Sequence, residues 1–406
     1  MQGDPVPAAD IIVIGLGAMG SAAAATLAQR GYRVLGFDRF APGHDRGSSH
    51  GKTRIIRTAY YESPEYVPLI RRAWTLWREL EERYGRPLLR MTGGLYIGGP
   101  DTALVQGTLA SARTHGLAHE LLDAEAAMRR FPGLRLAPDQ VAVYEEQAGL
   151  IDPEAAVHAF QEQARACGAE LRHTVPVERW SIVGDGIRVE TSEGSFHADR
   201  AIIAAGAWLA ELVPELRRLL TVWRILHVHF EPLVPQRYDA ARVPFALWED
   251  EFGIYSAFPE LPGQGVKFGR HDTGEPCTPE TARRTATEEE IMTLREQLVR
   301  YWPDAGGRVL WYLTCLYTMT PDHHFVIDRH PAAPNVILCS ACSGHGFKFA
   351  PAIGELLADL ATDPQSSPPA LFQLTRFEQS EPARSPRRPP DRRSPDAGQS
   401  ARSAHG

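Results

Sequence analysis

Gly15, Gly17 and Gly20, in the run Gly15-Leu16-Gly17-Ala18-Met19-Gly20, have the spacing of a turn that can receive a pyrophosphate. Ile11-Ile12-Val13-Ile14 reads as a strand before the turn, and the alanine-rich stretch from Ser21 to Arg30 reads as a helix after it. Gly15 permits the tight turn, Gly17 lets backbone approach the phosphates, and Gly20 lets helix and strand pack closely. The helix N-terminus then faces the anion. Asp38 closes a second apolar run about 20 residues further on, where an acid accepts hydrogen bonds from ribose hydroxyls and favours an adenosine without a 2′-phosphate. The plainer alternative is a glycine-rich turn with a solvated aspartate, but strand, helix and acid agree. The fingerprint does not separate a nicotinamide from a flavin.

Four more residues call for a reason. Lys348 follows Gly344 and Gly346 at a predicted helix start, where a cation gains nothing from the positive end of the helix dipole. An anionic substrate is one such reason. Lys267, in Gly265-Val266-Lys267-Phe268-Gly269-Arg270-His271, interrupts an alternating strand whose neighbours read as buried. An edge lysine that blocks aggregation is the dull alternative. Arg57, read alone, pairs with Glu62 or Glu65 at the surface. Cys315, read alone, is a small buried hydrophobe in an aromatic strand.

The elements that must position these groups are legible around them. Arg33 to Phe37 completes a βαβ unit with parallel strands. Pro68 to Arg83 carries Ile70, Trp74, Trp77 and Leu80 at helical spacing. Ala155 to Gly168 is a further helix, and Leu171 to Phe196 is an antiparallel hairpin module with turns at Gly184-Asp185-Gly186 and Glu193-Gly194. Ala201 to Trp208 is an apolar strand ending in glycine, Trp223 through Arg270 is strand-rich, and Val336 to Leu360 returns to strand, glycine-rich turn and helix. The chain thus leaves a dinucleotide-binding part and comes back to it.

With 406 residues, 43% hydrophobic and 23% charged, the chain can bury a core of two or three domains. Its net charge of −7 gives no sign of affinity for nucleic acid or anionic membranes. No apolar stretch approaches the roughly 20 residues that span a bilayer, and the N-terminus lacks the pattern of a secretory signal, so a cytoplasmic protein is expected. The five cysteines are odd in number and irregular in spacing, against a disulfide framework or a metal cage. Cys339 and Cys342 form a C-x-x-C pair but sit at a predicted buried strand, and read as structural. Residues 379–406 contain no Leu, Ile, Val or Phe and are expected to be a disordered tail.

Three longer motifs separate the cofactors. The run from Gly47 to Arg57 (GSSHGKTRIIR), Thr314-Cys315-Leu316-Tyr317-Thr318, and Ser343-Gly344-His345-Gly346-Phe347-Lys348-Phe349 together resemble the monomeric sarcosine oxidase family, which includes N-methyltryptophan and pipecolate oxidases. The resemblance runs in order from about Ala9 to Phe377. It implies FAD, bound covalently through a thioether from Cys315 to a methyl group of the isoalloxazine. It further implies that Arg57, by its planar fork, and Lys348, as a point charge, hold the substrate carboxylate. Lys267 would face the flavin and promote electron transfer to O2, since a fixed cation favours superoxide as it forms. His271 would lie near the carboxylate and amine, and Tyr317 would project on the same strand face as Cys315. Arg54 and His50 would lie near the flavin, where positive charge stabilises the reduced ring. Arg39, Ser48, Thr53 and Val177 complete the implied cofactor contacts.

The chain departs from the family where sarcosine oxidases carry a pair of tyrosines and it reads Ile254-Tyr255-Ser256. A roomier pocket is one consequence. Leu247, Trp248, His227 and His229 also differ, which leaves the amino acid side chain open. The expected fold is α/β, with α+β character in the substrate domain. A discontinuous Rossmann-like FAD domain spans 9–85, 145–216 and 305–378, and a substrate domain with a large, mostly antiparallel sheet spans 86–144 and 217–304. The expected activity is oxidation of a secondary-amine amino acid by hydride transfer to flavin, giving an imine and hydrogen peroxide, in a monomer or weak homo-oligomer with no nucleic-acid or membrane partner. Rivals are a biosynthetic imino-acid oxidase using the same residues, a flavin-binding protein without turnover, and a nicotinamide-dependent dehydrogenase.

Overall fold

The computed structural model describes residues 9–378; the tail expected over 379–406 lies outside them. Three sheets and the helices that cover them build the fold. The first sheet has eight strands around a parallel centre. Ala9–Ile14 lies between Val34–Phe37 and the second half of Gly194–Ile203, parallel to both. Glu170–Arg172 extends the parallel layer on one side and Ala333–Ser340 on the other. The central strands Ala9–Ile14 and Val34–Phe37 are mostly apolar and buried, as a covered parallel layer requires, whereas Glu170–Arg172 at the edge is partly exposed. The first half of Gly194–Ile203 turns back into the expected antiparallel module, pairing with Gly186–Thr191, which pairs with Val177–Val183.

Helices Ala18–Gln29, Pro153–Ala166 and Ala350–Thr362 share one core with Val67–Tyr84. Val67–Tyr84 buries Ile70, Ala73, Trp74, Trp77 and Leu80, the stripe read from its spacing. A Cβ on Gly354 would lie 2.7 Å from the backbone of Ala22, so the first and last of these helices cross at close range. Asp152 caps Pro153–Ala166 by accepting from the amides of Glu154 and Ala155.

The second sheet has nine strands, antiparallel except where Phe245–Asp250 runs parallel to Gly94–Gly98. One face packs Trp248, Tyr255, Phe268 and Trp302 into a separate aromatic core. The other face is turned towards the first sheet. Val309–Met319 joins this second sheet by pairing with Thr221–Phe230. The stretch from 305 expected in the cofactor part thus includes a strand of the second sheet, 11 residues long and paired with the 10 residues of Thr221–Phe230. A small third sheet joins Arg54–Ile56 to Gly149–Ile151 and Leu89–Met91.

Candidate active site

A cavity of about 520 Å³ runs from the glycine turn of the first sheet to the inner face of the second. At one end Gly15 takes φ +93°, and a Cβ there would come within 2.5 Å of the Ala204 carbonyl oxygen. Only glycine fits this turn. Gly15 and Gly17 line the cavity. Gly20 does not line it, because its missing Cβ would sit 1.8 Å from the Gly15 carbonyl oxygen; it packs beneath the turn. Asp38 braces the turn, one carboxylate oxygen accepting from the Leu16 amide at 2.8 Å and the other from the Phe40 amide at 2.9 Å. Asp38 also reaches the cavity wall. Ser49, quoted in the sequence motif but not singled out, accepts from the Ala18 amide at 3.1 Å and lines the cavity.

Of the residues expected to contact the cofactor, Arg39, Ser48, Arg54, Val177, Cys315, Gly344 and Gly346 also reach this wall. Arg54 is held by the carbonyls of Thr53 and Ser48, both at 2.8 Å. Thr53 and His50 stand behind the wall. Thr53 supports Lys267 instead of lining the cavity. His50 is enclosed, and burial, then Arg54, pushes its pKa down to about 4. A lowered pKa favours the neutral imidazole near pH 7.

The second sheet supplies the other wall by strand alternation, which puts every second residue on one face. Cys315 and Tyr317 lie two apart on Val309–Met319. The cross-strand pairs His227–Gly269, Gly269–Ser256 and Ser256–Leu247 form a row across the sheet, and Lys267 pairs with Phe258 in the next row. Ser256, at the position of the lost phenol, is on the wall, whereas Tyr255 faces the aromatic core. Leu247 and His227 are wall residues too. Trp248 lies in that core, and His229 stacks on Trp311 at 3.6 Å between ring centres.

Lys267 is 2% exposed and donates to the carbonyls of Gly51 at 3.0 Å and Thr53 at 2.9 Å and to the Thr53 hydroxyl at 3.3 Å. It is a core lysine, not an edge lysine. Burial, reinforced by Arg54, holds its pKa well below the ordinary lysine value. Lys348, also enclosed, donates to the His345 carbonyl at 2.7 Å, and Trp77 Nε1 donates to the Lys348 carbonyl at 2.8 Å. Burial, then the neighbouring Arg57, likewise depresses its pKa, with Glu62 opposing.

Arg57 is 2% exposed and does pair with Glu62, one guanidinium nitrogen lying 2.6 Å from both carboxylate oxygens. The pair is buried, not at the surface. Burial alone would raise Glu62, but Arg57, His345 and Lys348 together outweigh it and bring the carboxyl to about 2. The loop that carries Arg57 is fixed by buried Glu145, which accepts from the amides of Thr58 at 2.8 Å and Ala59 at 3.0 Å and from the Tyr96 hydroxyl at 2.6 Å. His271 lies 3.5 Å from the Tyr317 hydroxyl, and burial lowers its pKa to about 4. Gly344, at φ +79°, leaves space for the Tyr317 ring, which a Cβ would meet at 2.6 Å. Cys315 is enclosed at the wall and burial raises its thiol. All five cysteines are free.

The cavity suits a flavin dinucleotide. A glycine cradle and a helix N-terminus stand at one end. The buried Ser340 hydroxyl, on the wall, has no partner among the described residues and can take one from a ligand. No group of three or more His, Cys, Asp or Glu that could hold a metal occurs among the described residues. No helix among them is long and apolar enough to cross a membrane.

Comparison with known proteins agrees with this geometry. Residues 10–360 match the family described as FAD dependent oxidoreductase. The chain is 44% identical over 379 residues to a monomeric sarcosine oxidase of Streptomyces avermitilis, covering 91% of this chain and 98% of the relative. It is 35% identical over 375 residues to an N-methyl-L-tryptophan oxidase of Salmonella heidelberg, covering 91% and 99%. Among solved structures, the open form of NikD, described as an unusual amino acid oxidase essential for nikkomycin biosynthesis, superposes with a TM-score of 0.79 at 26% identity, over 89% of this chain and 95% of that one.

Proposed function

The chain belongs to the family of FAD-dependent oxidoreductases, and on that premise we propose that it oxidises a small amino acid bearing a secondary amine, N-methylated or cyclic, with O2 as acceptor. The observation that carries this reading is the meeting of Arg57, Lys267, His271, Tyr317 and Lys348, from distant parts of the chain, on the wall of the cavity that begins at the glycine turn.

Arg57 and Lys348 bind the carboxylate. Its negative charge offsets the mutual repulsion of the two buried cations, so the carboxylate belongs where they converge. The same positive field favours the neutral form of the substrate amine, the form that can give up a hydride. When bound, FAD supplies the acceptor for that hydride and the route to dioxygen. His271 and Tyr317, both uncharged near pH 7, orient the amine without competing for the carboxylate. Lys267 places a fixed cation where oxygen is reduced. Cys315 is the residue we assign to covalent attachment of the flavin. We divide the chain into a cofactor part, 9–85, 145–216 and 320–378, and a substrate part, 86–144 and 217–319.

A cyclic imino acid is a second substrate reading, favoured by Ser256, whose short side chain widens the wall. The absence of disulfides among the five cysteines of the chain fits a reducing cytoplasm, and we expect a monomer or weak homo-oligomer by light scattering. Peroxide release from sarcosine, N-methyl-L-tryptophan, pipecolate and dimethylamine tests the function. Release with at least one carboxylate substrate and none with dimethylamine is expected. Silence with every carboxylate in flavin-loaded protein would refute it. Acid precipitation tests Cys315: colour should stay with the pellet, and leave it in Cys315→Ser.

A further inference from the structure

Tyr60 touches both cations assigned to the carboxylate. Its ring centre lies 4.0 Å from the Arg57 guanidinium carbon, and its hydroxyl oxygen is 3.4 Å from Lys348 Nζ. The side chain is fully enclosed and packs against Tyr66 and Phe349, so the ring has no room to swing.

The direction of the hydroxyl follows from the hydrogen bonds behind it. His345 Nε2 is 3.0 Å from the carbonyl oxygen of His323, which can only accept, so Nε2 carries the proton. Burial, opposed by Glu62 and aided by Lys348, pushes the His345 pKa down to about 3 and leaves the imidazole neutral. Nδ1 is then an acceptor, and the Tyr60 hydroxyl donates to it at 2.6 Å. This keeps the phenol proton away from Lys348 and leaves oxygen lone pairs for the ammonium. The His345 carbonyl takes the same ammonium at 2.7 Å. One residue therefore orients the phenol and holds the lysine.

We propose that Tyr60, oriented by His345, is a positioning residue that sets the spacing between Arg57 and Lys348 and so determines affinity for the substrate carboxylate. This rests on the reading of Arg57 and Lys348 as the carboxylate pair. A planar carboxylate that must meet a fork on one side and a point charge on the other gains from two cations already fixed at the right separation.

The test is acetate binding to the flavin-loaded enzyme, followed by the visible spectrum of the flavin. Tyr60→Phe should weaken acetate about tenfold and raise KM for a carboxylate substrate more than it lowers kcat. Lys348→Met should also weaken acetate, and the double variant should bind no more than about threefold worse than Lys348→Met, because Tyr60 acts through the lysine. An affinity in Tyr60→Phe within about twofold of the parent, or full additivity of the two losses, overturns the proposal. If Lys348→Met leaves acetate unchanged, the carboxylate-pair reading falls and the proposal with it. Should Tyr60→Phe fail to hold flavin, His345 carries the test. His345→Asn keeps an acceptor near Nδ1 and should bind acetate more tightly than His345→Ala; equal affinities overturn the proposal.

Discussion

At the residue scale the site gathers cations in a place that disfavours them. Lys267 and Lys348 are enclosed with no carboxylate in hydrogen-bonding contact among the described residues, and burial lowers both pKa values. For Lys348 the sign follows from its proposed role. If the protonated lysine binds the carboxylate as proposed, affinity is present below its depressed pKa and is lost as pH rises through it, well before the ordinary value of 10.5. Arg57, whose pKa is raised beside Glu62, stays charged throughout. Acetate titrations from pH 6 to 10 should show that decline in the parent and a flat profile in Lys348→Met. Lys267→Met should slow reoxidation of the reduced enzyme by O2 on the order of 100-fold while sparing anaerobic reduction by substrate, since a fixed cation matters where negative charge develops. Stopped-flow traces with and without oxygen separate the two. Much of this was legible in the sequence, because Lys267 interrupts a buried alternation and Lys348 stands at a helix start where a cation is out of place. The roles of Thr53 and His50 were not legible. Whether a residue stands on a wall or behind it depends on pairs 214 residues apart, such as Thr53 with Lys267.

Elements hold these residues by backbone geometry that tolerates little change. Gly20→Ala would put a methyl group 1.8 Å from the Gly15 carbonyl oxygen. A loss of about 3 kcal/mol in stability is expected, together with weaker FAD retention, read by denaturant unfolding and flavin content. Gly344→Ala meets both an unfavourable φ of +79° and the Tyr317 ring at 2.6 Å. It should depress turnover more than flavin binding if Tyr317 orients the substrate as proposed. The glycine turn, its strand and its helix could be read directly from local pattern, as could the stripe of Val67–Tyr84. That Val309–Met319 joins the second sheet was not legible, because its partner, Thr221–Phe230, lies far off in sequence. No local propensity tells a strand which sheet it joins.

For the whole molecule, the cavity between the two large sheets makes the cofactor part of the folded structure. In Cys315→Ser, where flavin should exchange, hundredfold FAD over Kd is expected to add about 2.7 kcal/mol. The melting temperature should rise by several degrees over the flavin-free form. A small effect would mean that FAD also binds the unfolded chain or does not fill the site. The most direct test of the proposed chemistry is anaerobic mixing of the purified yellow enzyme with sarcosine, N-methyl-L-tryptophan and pipecolate in turn. At least one, added at one equivalent per flavin, should bleach the flavin, and admitted O2 should restore the colour with one equivalent of peroxide per flavin. A flavin that keeps its colour with every secondary-amine amino acid offered would contradict the assignment of this site.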